Sequence, residues 1–507
     1  MTAIDPARVV AVVGAGTMGQ GIAQVALVAG HPVRLYDAVP GRAEEAAASL
    51  AGRLDRLVGK GRLDKATREA ALAGLHTAEE LTELADAALV IEAVVERLSV
   101  KRELFAALED VVADDCLLAT NTSSLSVTAV AGELRRPGRL VGLHFFNPAP
   151  LLPLVEVVSG FATDEEAAER AYGTALAWGK TPVRCADTPG FVVNRVARPF
   201  YAEAFRVYEE RAAEPATIDA VLRECGGFRM GPFELTDLIG QDVNEAVTRS
   251  VRESFFQDPK FTPSLAQRRL VESGRLGRKT GRGWFPYGEG AAAPEPHTAE
   301  PCDAPDAVGL HAGLGAAAVL REMIEEAGIK VIRDRTPYVS GGFIGLPGGT
   351  GLSLTDGTTA TGDPSGAYIR FDLSLDYRAC TRVALAPGAD ADPADVRAAI
   401  GLFQRLGKQV SVIGDIPGMI VGRTVAMLID FALDAVSRGV ASAEDTDTAM
   451  KLGVNYPGGP GEWCDLLGAR WAADFLATLD GAYPGGRYAP SQALVRRADL
   501  EAKQGRS

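Results

Sequence analysis

The chain has 507 residues, 47% of them apolar, with 66 acidic against 52 basic side chains and a formal charge of −14. That length holds roughly three ordinary domains, and the acidic balance argues against a nucleic-acid or membrane-surface partner, so any anionic ligand has to be met by local basic groups. No apolar run reaches the roughly 20 residues needed to span a bilayer, and six scattered cysteines with no secretion-type segment lead to the expectation of a reducing cytoplasm.

Residues 8–13 read as a short apolar strand that runs straight into Gly14-Ala15-Gly16-Thr17-Met18-Gly19, with a helical stretch at 20–29. A strand, a tight glycine turn and a helix form a dinucleotide site, because the helix N-terminal amides meet the pyrophosphate. Glycine spacing by itself also fits a turn without a ligand. The context favours the ligand: Gly30 can cap the helix, 32–36 reads as a second strand, and Asp37 closes it. An acid there accepts hydrogen bonds from ribose hydroxyls and repels a 2′-phosphate, which selects NAD over NADP.

Residues 44–75 read as a helical hairpin carrying Arg53, Arg56, Lys60, Arg62, Lys65 and Arg68. Such an excess is either a solvated helical face or a grip on a phosphate-bearing ligand. A buried strand at 88–93 precedes Glu96 and Lys101, and Ser99 is expected to cap a helix reaching 112. The strand at 117–120 opens into Asn121-Thr122-Ser123-Ser124, polar residues where open α/β sheets bind ligands, although some of these hydroxyls serve as ordinary caps.

His144 lies in the apolar run 141–146, and Glu156 in the run 154–158, with Asn147-Pro148-Ala149-Pro150 between them. The prolines stop a helix and can fold the second run back beside the first. That places a carboxylate near an imidazole, an arrangement that fixes the tautomer of a general acid/base. The alternative is a core histidine satisfied by backbone groups. Further on, Asp187-Thr188-Pro189-Gly190 breaks the chain and 191–211 reads as one long helix with Asn194 on its first turns.

From about residue 9 to 287 these features together resemble the 3-hydroxyacyl-CoA dehydrogenase family. The match comprises the glycine loop, Asn121-Thr122-Ser123-Ser124, His144-Phe145-Phe146-Asn147-Pro148 with a glutamate twelve residues after the histidine, Pro189-Gly190-Phe191-Val192-Val193-Asn194-Arg195, and Gly277-Arg278-Lys279-Thr280-Gly281. The resemblance implies that His144 is the acid/base, Glu156 its partner, and Ser123 and Asn194 active-site hydrogen-bonders. It implies an NAD environment of Gly14, Gly16, Thr17, Met18, Gly19, Asp37, Glu96, Lys101, Asn121, Asn147 and Lys279, and a coenzyme A grip at Arg53 and Lys60, with Ser123 also facing the substrate. No metal is implied.

The chain then repeats itself. Asp187-Thr188-Pro189-Gly190 returns as Asp415-Ile416-Pro417-Gly418, an offset of 415 − 187 = 228, and the same offset maps Gly231-Pro232 on Gly459-Pro460 and Asp237 on Asp465. One ungapped register across both segments indicates duplication. In that register His144 falls on Asp372, Glu156 on Ala384 and Asn194 on Gly422, so the copy carries no second active site. Gly313-Leu314-Gly315 lacks the complete loop, and most of the nucleotide half is missing.

The expected fold is an α/β Rossmann domain with a mostly parallel, doubly wound sheet, an all-α domain, and a degenerate second copy of both. The expected boundaries are 1–186 for the Rossmann domain, 187–285 for the first all-α domain, 286–308 for a linker, 309–414 for a truncated Rossmann-like remnant and 415–507 for the second all-α domain. The two-copy form, with Lys451-Leu452-Gly453-Val454-Asn455-Tyr456-Pro457 near its end, resembles bacterial dehydrogenases of phenylacetate breakdown acting on 3-hydroxyadipyl-CoA or 3-hydroxybutyryl-CoA. The expected activity is NAD-dependent oxidation of a (3S)-3-hydroxyacyl-CoA, by a homodimer or by a pseudo-dimeric monomer paired through its tandem helical domains. Two rivals stay open: a dehydrogenase of a free hydroxy acid, and a non-catalytic NAD-binding scaffold.

Overall fold

The central strands at residues 9–13 and 87–91 are continuous apolar runs because both of their faces are covered. In the computed structural model, which describes residues 3–292, 294–311, 313–334 and 342–504, β1 (Val9–Val13), β2 (Val33–Tyr36), β3 (Leu75–Ala78), β4 (Ala87–Glu92), β5 (Leu117–Thr120), β6 (Leu140–Phe145), β7 (Leu154–Ser159) and β8 (Thr181–Ala186) form one sheet in the order β3-β2-β1-β4-β5-β6-β7-β8. Neighbouring strands are parallel except β6 and β7. Helices α1 (Thr17–Val28), α2 (Arg42–Gly59), α3 (Lys65–Ala73), α4 (Leu98–Val111), α5 (Val127–Ala131) and α6 (Glu165–Ala177) connect the strands. Fully buried Val10, Val12, Leu35, Leu89, Ile91, Ala119 and Leu143 form the centre of this layer, as expected of strands covered on both faces. The strand order reverses at β1, between β2 and β4, the point at which such sheets open a ligand crevice beyond their C-terminal ends.

Two local expectations are corrected. Ser99 is not a cap: α4 begins at Leu98 with Arg97 at the N-cap position. The Glu92 carboxylate holds Val94 N at 2.7 Å and Val95 O accepts from Arg97 N, which turns the chain into the helix before Ser99. The single helix over 191–211 is two pieces, Val193–Val196 and Arg198–Glu209, because Pro199 has no N–H to continue the ladder and disfavours helical backbone just before it.

The chain divides into two compact units, one of residues 1–195 with 435–454 and one of 196–434 with 455–507. In the first, the helix Ala443–Gly453 packs on β7 and β8, and Ala186 N donates to Val440 O at 2.8 Å. A segment of the second copy thus covers the end of the first sheet.

The second unit holds a smaller sheet of β9 (Ala307–His311), β10 (Lys330–Asp334), β11 (Phe343–Gly345), β12 (Gly351–Leu354), β13 (Tyr368–Phe371), β14 (Arg382–Pro387) and β15 (Gln409–Val412), in the order β10-β9-β11-β12-β13-β14-β15. It is mixed: β9/β10, β12/β13 and β14/β15 are parallel, and the other pairs antiparallel. Its strands read as the reduced counterpart of the first sheet, with a single turn at Gly315–Ala317 where the glycine loop would stand. In this unit the helix Pro215–Glu224 of the first copy packs on β14, and Gly414 N donates to Ala212 O at 2.8 Å. The two backbone bonds, 186 to 440 and 414 to 212, are one bond written twice, since 414 − 186 = 440 − 212 = 228. Each sheet therefore takes its flanking helix from the other copy, the reciprocity of a two-fold contact.

Helices of both copies also pack together inside the second unit. Glu203, fully buried, meets Arg487 at 2.6 Å and accepts from Tyr488 Oη at 2.7 Å, and Lys260 pairs with Asp430 at 2.5 Å.

Candidate active site

The antiparallel exception in the first sheet builds the centre of the site. The bend at residues 147–150 returns β7 along β6 in a register that sets His144 opposite Glu156. His144 Nδ1 lies 2.6 Å from Glu156 Oε2, and both side chains are buried. An ionised carboxylate only accepts, so Nδ1 carries the proton and Nε2 is left to exchange one with a ligand. The other carboxylate oxygen, Oε1, accepts from Val192 N at 3.0 Å and Val193 N at 2.9 Å, at the start of the helix that bears Asn194. Glu156 is thereby held from two sides, and the imidazole is enclosed by the rings of Phe146 and Phe191 at 4.5 and 5.7 Å between centroids. The partner of the imidazole is a carboxylate rather than the backbone group of the core-histidine alternative.

The ends of the neighbouring strands supply a polar shelf. Asn121 Oδ1 accepts from Phe145 N at 2.8 Å, tying β5 to the residue after His144. Glu96 gathers the next loop, accepting from Thr122 Oγ1 at 2.7 Å, from Ser123 N at 2.9 Å and from the Ser124 amide and hydroxyl, both at 3.0 Å. Burial raises the pKa of this carboxyl, but Lys101 and these donors outweigh it and hold the group below the usual range. Asn194 Nδ2 reaches Ser123 O at 3.5 Å, which sets its amide beside the Ser123 loop. His144, Glu156, Ser123 and Asn194 are thus brought to one edge of the sheet.

One contributor went unread in the sequence. Glu92, fully buried at the end of β4, accepts from Lys101 Nζ at 2.5 Å, Thr120 Oγ1 at 2.7 Å and Val94 N. Lys101 bridges it to Glu96 at 3.2 Å, so Glu92, Lys101 and Glu96 form one ionic chain under the loop of Ser123. A lone acid closing the apolar run Ala87–Glu92 was the available signal.

The glycine loop fits a dinucleotide. Gly14 has φ +105, and a side chain on it would strike the Ala93 carbonyl; Gly19 presses on the Gly14 carbonyl; nothing lies within 4 Å of where a Gly16 side chain would stand. Gly14 and Gly19 close the turn, and Gly16 leaves the backbone open to the approach of a pyrophosphate, beside Thr17 and Met18 at the start of α1. Asp37 Oδ2 accepts from Ala15 N at 2.8 Å and Oδ1 from Val39 N at 3.0 Å, fixing its carboxylate at the end of β2. Arg53, half-buried on α2, donates to Gln20 Oε1 at 2.6 Å, and Gln20 donates to Ala15 O at 2.9 Å, linking the basic hairpin to the glycine loop. Lys60 caps the C-terminal end of α2 and is exposed. Asn147 is exposed in the hairpin bend. Lys279 belongs to the second unit, where Nζ meets Asp242 at 2.6 Å.

An imidazole backed by a carboxylate is a group that could take a proton from a bound alcohol at Nε2, and the glycine loop could hold a dinucleotide, which would supply the hydride acceptor.

Known proteins match most of the chain. The model for the NAD-binding domain of 3-hydroxyacyl-CoA dehydrogenase matches residues 9–188, the model for its C-terminal domain matches 190–287 and again 418–507, and the model for the reduced Rossmann-fold domain of 3-hydroxybutyryl-CoA dehydrogenase matches 352–417. The 3-hydroxyadipyl-CoA dehydrogenase of Escherichia coli (strain K12) is 45% identical over 497 residues, 97% of this chain and 98% of that one. The 3-hydroxybutyryl-CoA dehydrogenase of Clostridioides difficile is 38% identical over 277 residues, 55% of this chain and 98% of its own. A crystal structure of 3-hydroxybutyryl-CoA dehydrogenase from Escherichia coli K12 superposes with a TM-score of 0.89 at 43% identity, covering 98% of this chain and 99% of the other. The chain therefore belongs to the 3-hydroxyacyl-CoA dehydrogenase family, as an NAD-dependent oxidoreductase of 3-hydroxyacyl-CoA.

Proposed function

We propose that the enzyme oxidises (3S)-3-hydroxyadipyl-CoA to the 3-oxo thioester, with His144 as general base and Glu156 as the group that orients it. The observation that carries the mechanism is the 2.6 Å contact between His144 Nδ1 and Glu156 at the strand ends. Ser123 and Asn194 hold the substrate oxygen, which lowers the entropic cost of the reactive geometry. Glu96, Lys101, Asn121 and Asn147 complete the NAD environment, and Arg53 and Lys60 meet coenzyme A phosphates. The choice of a dicarboxylic acyl chain rests on the match to a two-copy 3-hydroxyadipyl-CoA dehydrogenase across 97% of this chain. A second reading, 3-hydroxybutyryl-CoA, is favoured by the name of the superposing two-copy structure. The chain works as a pseudo-dimeric monomer, a reading supported by the reciprocal bonds at Ala186 and Gly414, and its place is the cytoplasm; no helix among the described residues is long and apolar enough to cross a membrane.

The test is NADH formation with 3-hydroxyadipyl-CoA, 3-hydroxybutyryl-CoA and the free hydroxy acids. A higher kcat/KM for the adipyl thioester is expected. Better turnover of the butyryl thioester moves the enzyme to short-chain substrates, and turnover of the free acid removes the coenzyme A reading.

A further inference from the structure

The second copy has lost its own catalytic pair, yet one of its residues touches the hold on the first. The helix Ala443–Gly453 lies on β7 and β8, and a side chain on its last residue would have to displace the tips of Leu154 and Val193. A methyl group on Gly453 would stand 2.7 Å from Leu154 Cδ2 and 3.0 Å from Val193 Cγ2. Gly453 is not in the left-handed backbone region, so close approach alone accounts for glycine here.

Both neighbours belong to the dyad's support. Leu154 opens β7, two residues before Glu156, and Val193 N is one of the two amides that hold Glu156 Oε1. At its other end the same segment is fastened to the sheet by Val440 O, which accepts from Ala186 N at the end of β8. Residues 440–453 thus meet the sheet at Ala186 and reach Leu154 and Val193 at their far end. Cores are packed closely enough that a displaced wall moves what leans on it.

Resting on the reading of His144 and Glu156 as the acid/base pair, we propose that Gly453 is a positioning residue. By packing on Leu154 and Val193, it presses the Val192–Val193 amides onto Glu156, and so holds the imidazole in line.

The experiment uses full-length Gly453→Ala and Gly453→Val, assayed for NADH formation with the preferred 3-hydroxyacyl-CoA and with the same substrate deuterated at C3. A displacement near 1 Å costs on the order of 10²-fold in rate, so kcat is expected to fall roughly 10-fold in Gly453→Ala and roughly 100-fold in Gly453→Val. KM for both substrates stays within about twofold, because the binding groups are untouched. The isotope effect on kcat rises as hydride transfer becomes limiting, and Leu154→Ala added to Gly453→Val returns part of the lost kcat by removing the clashing atom. If Gly453→Val does not fold, Gly453→Ala decides by the same readings. Unchanged kcat, or a loss carried by KM, overturns the proposal while leaving the dyad intact; a wild-type enzyme that turns over no 3-hydroxyacyl-CoA removes the proposal and the dyad reading together.

Discussion

Asp372 stands on the strand position that His144 holds 228 residues earlier, but its carboxylate does the work of Glu156. Asp372 N bonds to Ala384 O, as His144 pairs with Glu156. Its Oδ2 accepts from Ile420 N at 3.0 Å and Val421 N at 2.8 Å, the counterparts of Val192 and Val193, and Oδ1 accepts from Gly422 N at 3.0 Å. The requirement to satisfy those helix-start amides outlived the chemistry. With Ala384 opposite, one aspartate reaches them directly, and no imidazole is left to orient.

In the first copy the chemistry remains. His144→Ala removes the proton acceptor and is expected to lower kcat by ~10²–10⁴ while KM for the acyl-CoA changes little. Glu156→Gln lowers kcat by a smaller factor, since the amide still reaches the ring but no longer stabilises its charge. Steady-state kinetics beside a thermal melt checks both; undiminished turnover in either variant assigns the proton to another group.

On the reading of Asp37 as the ribose-binding acid, it is expected to repel a 2′-phosphate, and NAD to be preferred strongly over NADP. Asp37→Ser keeps a hydrogen-bonding group and removes the charge, and the ratio of kcat/KM for NAD to that for NADP is expected to narrow by at least roughly 10-fold, about 1.4 kcal/mol. An unaltered ratio would place the selectivity elsewhere in the loop.

The second copy's aspartate makes stability depend on pH. Burial pushes the Asp372 carboxyl up to about 6, against the amides of Val421, Gly422, Ile420 and Leu373, which favour the charged form. Its ordinary value is 3.8, so between about 4 and 6 the unfolded chain releases the proton first. Stability therefore falls as pH rises through that window, by roughly 3 kcal/mol in all. Asp372→Asn has no proton to lose. Denaturation midpoints measured from pH 4.5 to 7 should show the variant gaining on the wild type as pH rises; parallel curves would show that Asp372 titrates normally.

Arg487 protects a buried charge. Glu203 is fully buried and takes Arg487 at 2.6 Å and the Tyr488 hydroxyl at 2.7 Å. Arg487→Ala leaves that carboxylate without its cation and is expected to destabilise the protein by about 3–5 kcal/mol. The double variant Glu203→Gln with Arg487→Met, which buries no charge, should recover most of the loss. Melting temperatures that rank the double variant below the single one would contradict this account.

The sequence by itself determined what is local or periodic. The glycine loop, Asp37 at the end of β2, the strand at Leu117–Thr120 and the proline bend that returns Glu156 to His144 are all written within short stretches whose conformations depend on their own residues. The 228-residue register, read from motifs alone, predicted the loss of the second dyad. The tertiary structure decided what depends on contacts across the chain. Glu92 as the anchor of Lys101, the amides of Val192 and Val193 on Glu156, the early start of α4 before Ser99, and the exchange that places Gly453 against Leu154 join residues with no common local pattern. A buried carboxylate demands partners, which sequence makes plain; which of the distant amides and cations answer it depends on how the elements pack.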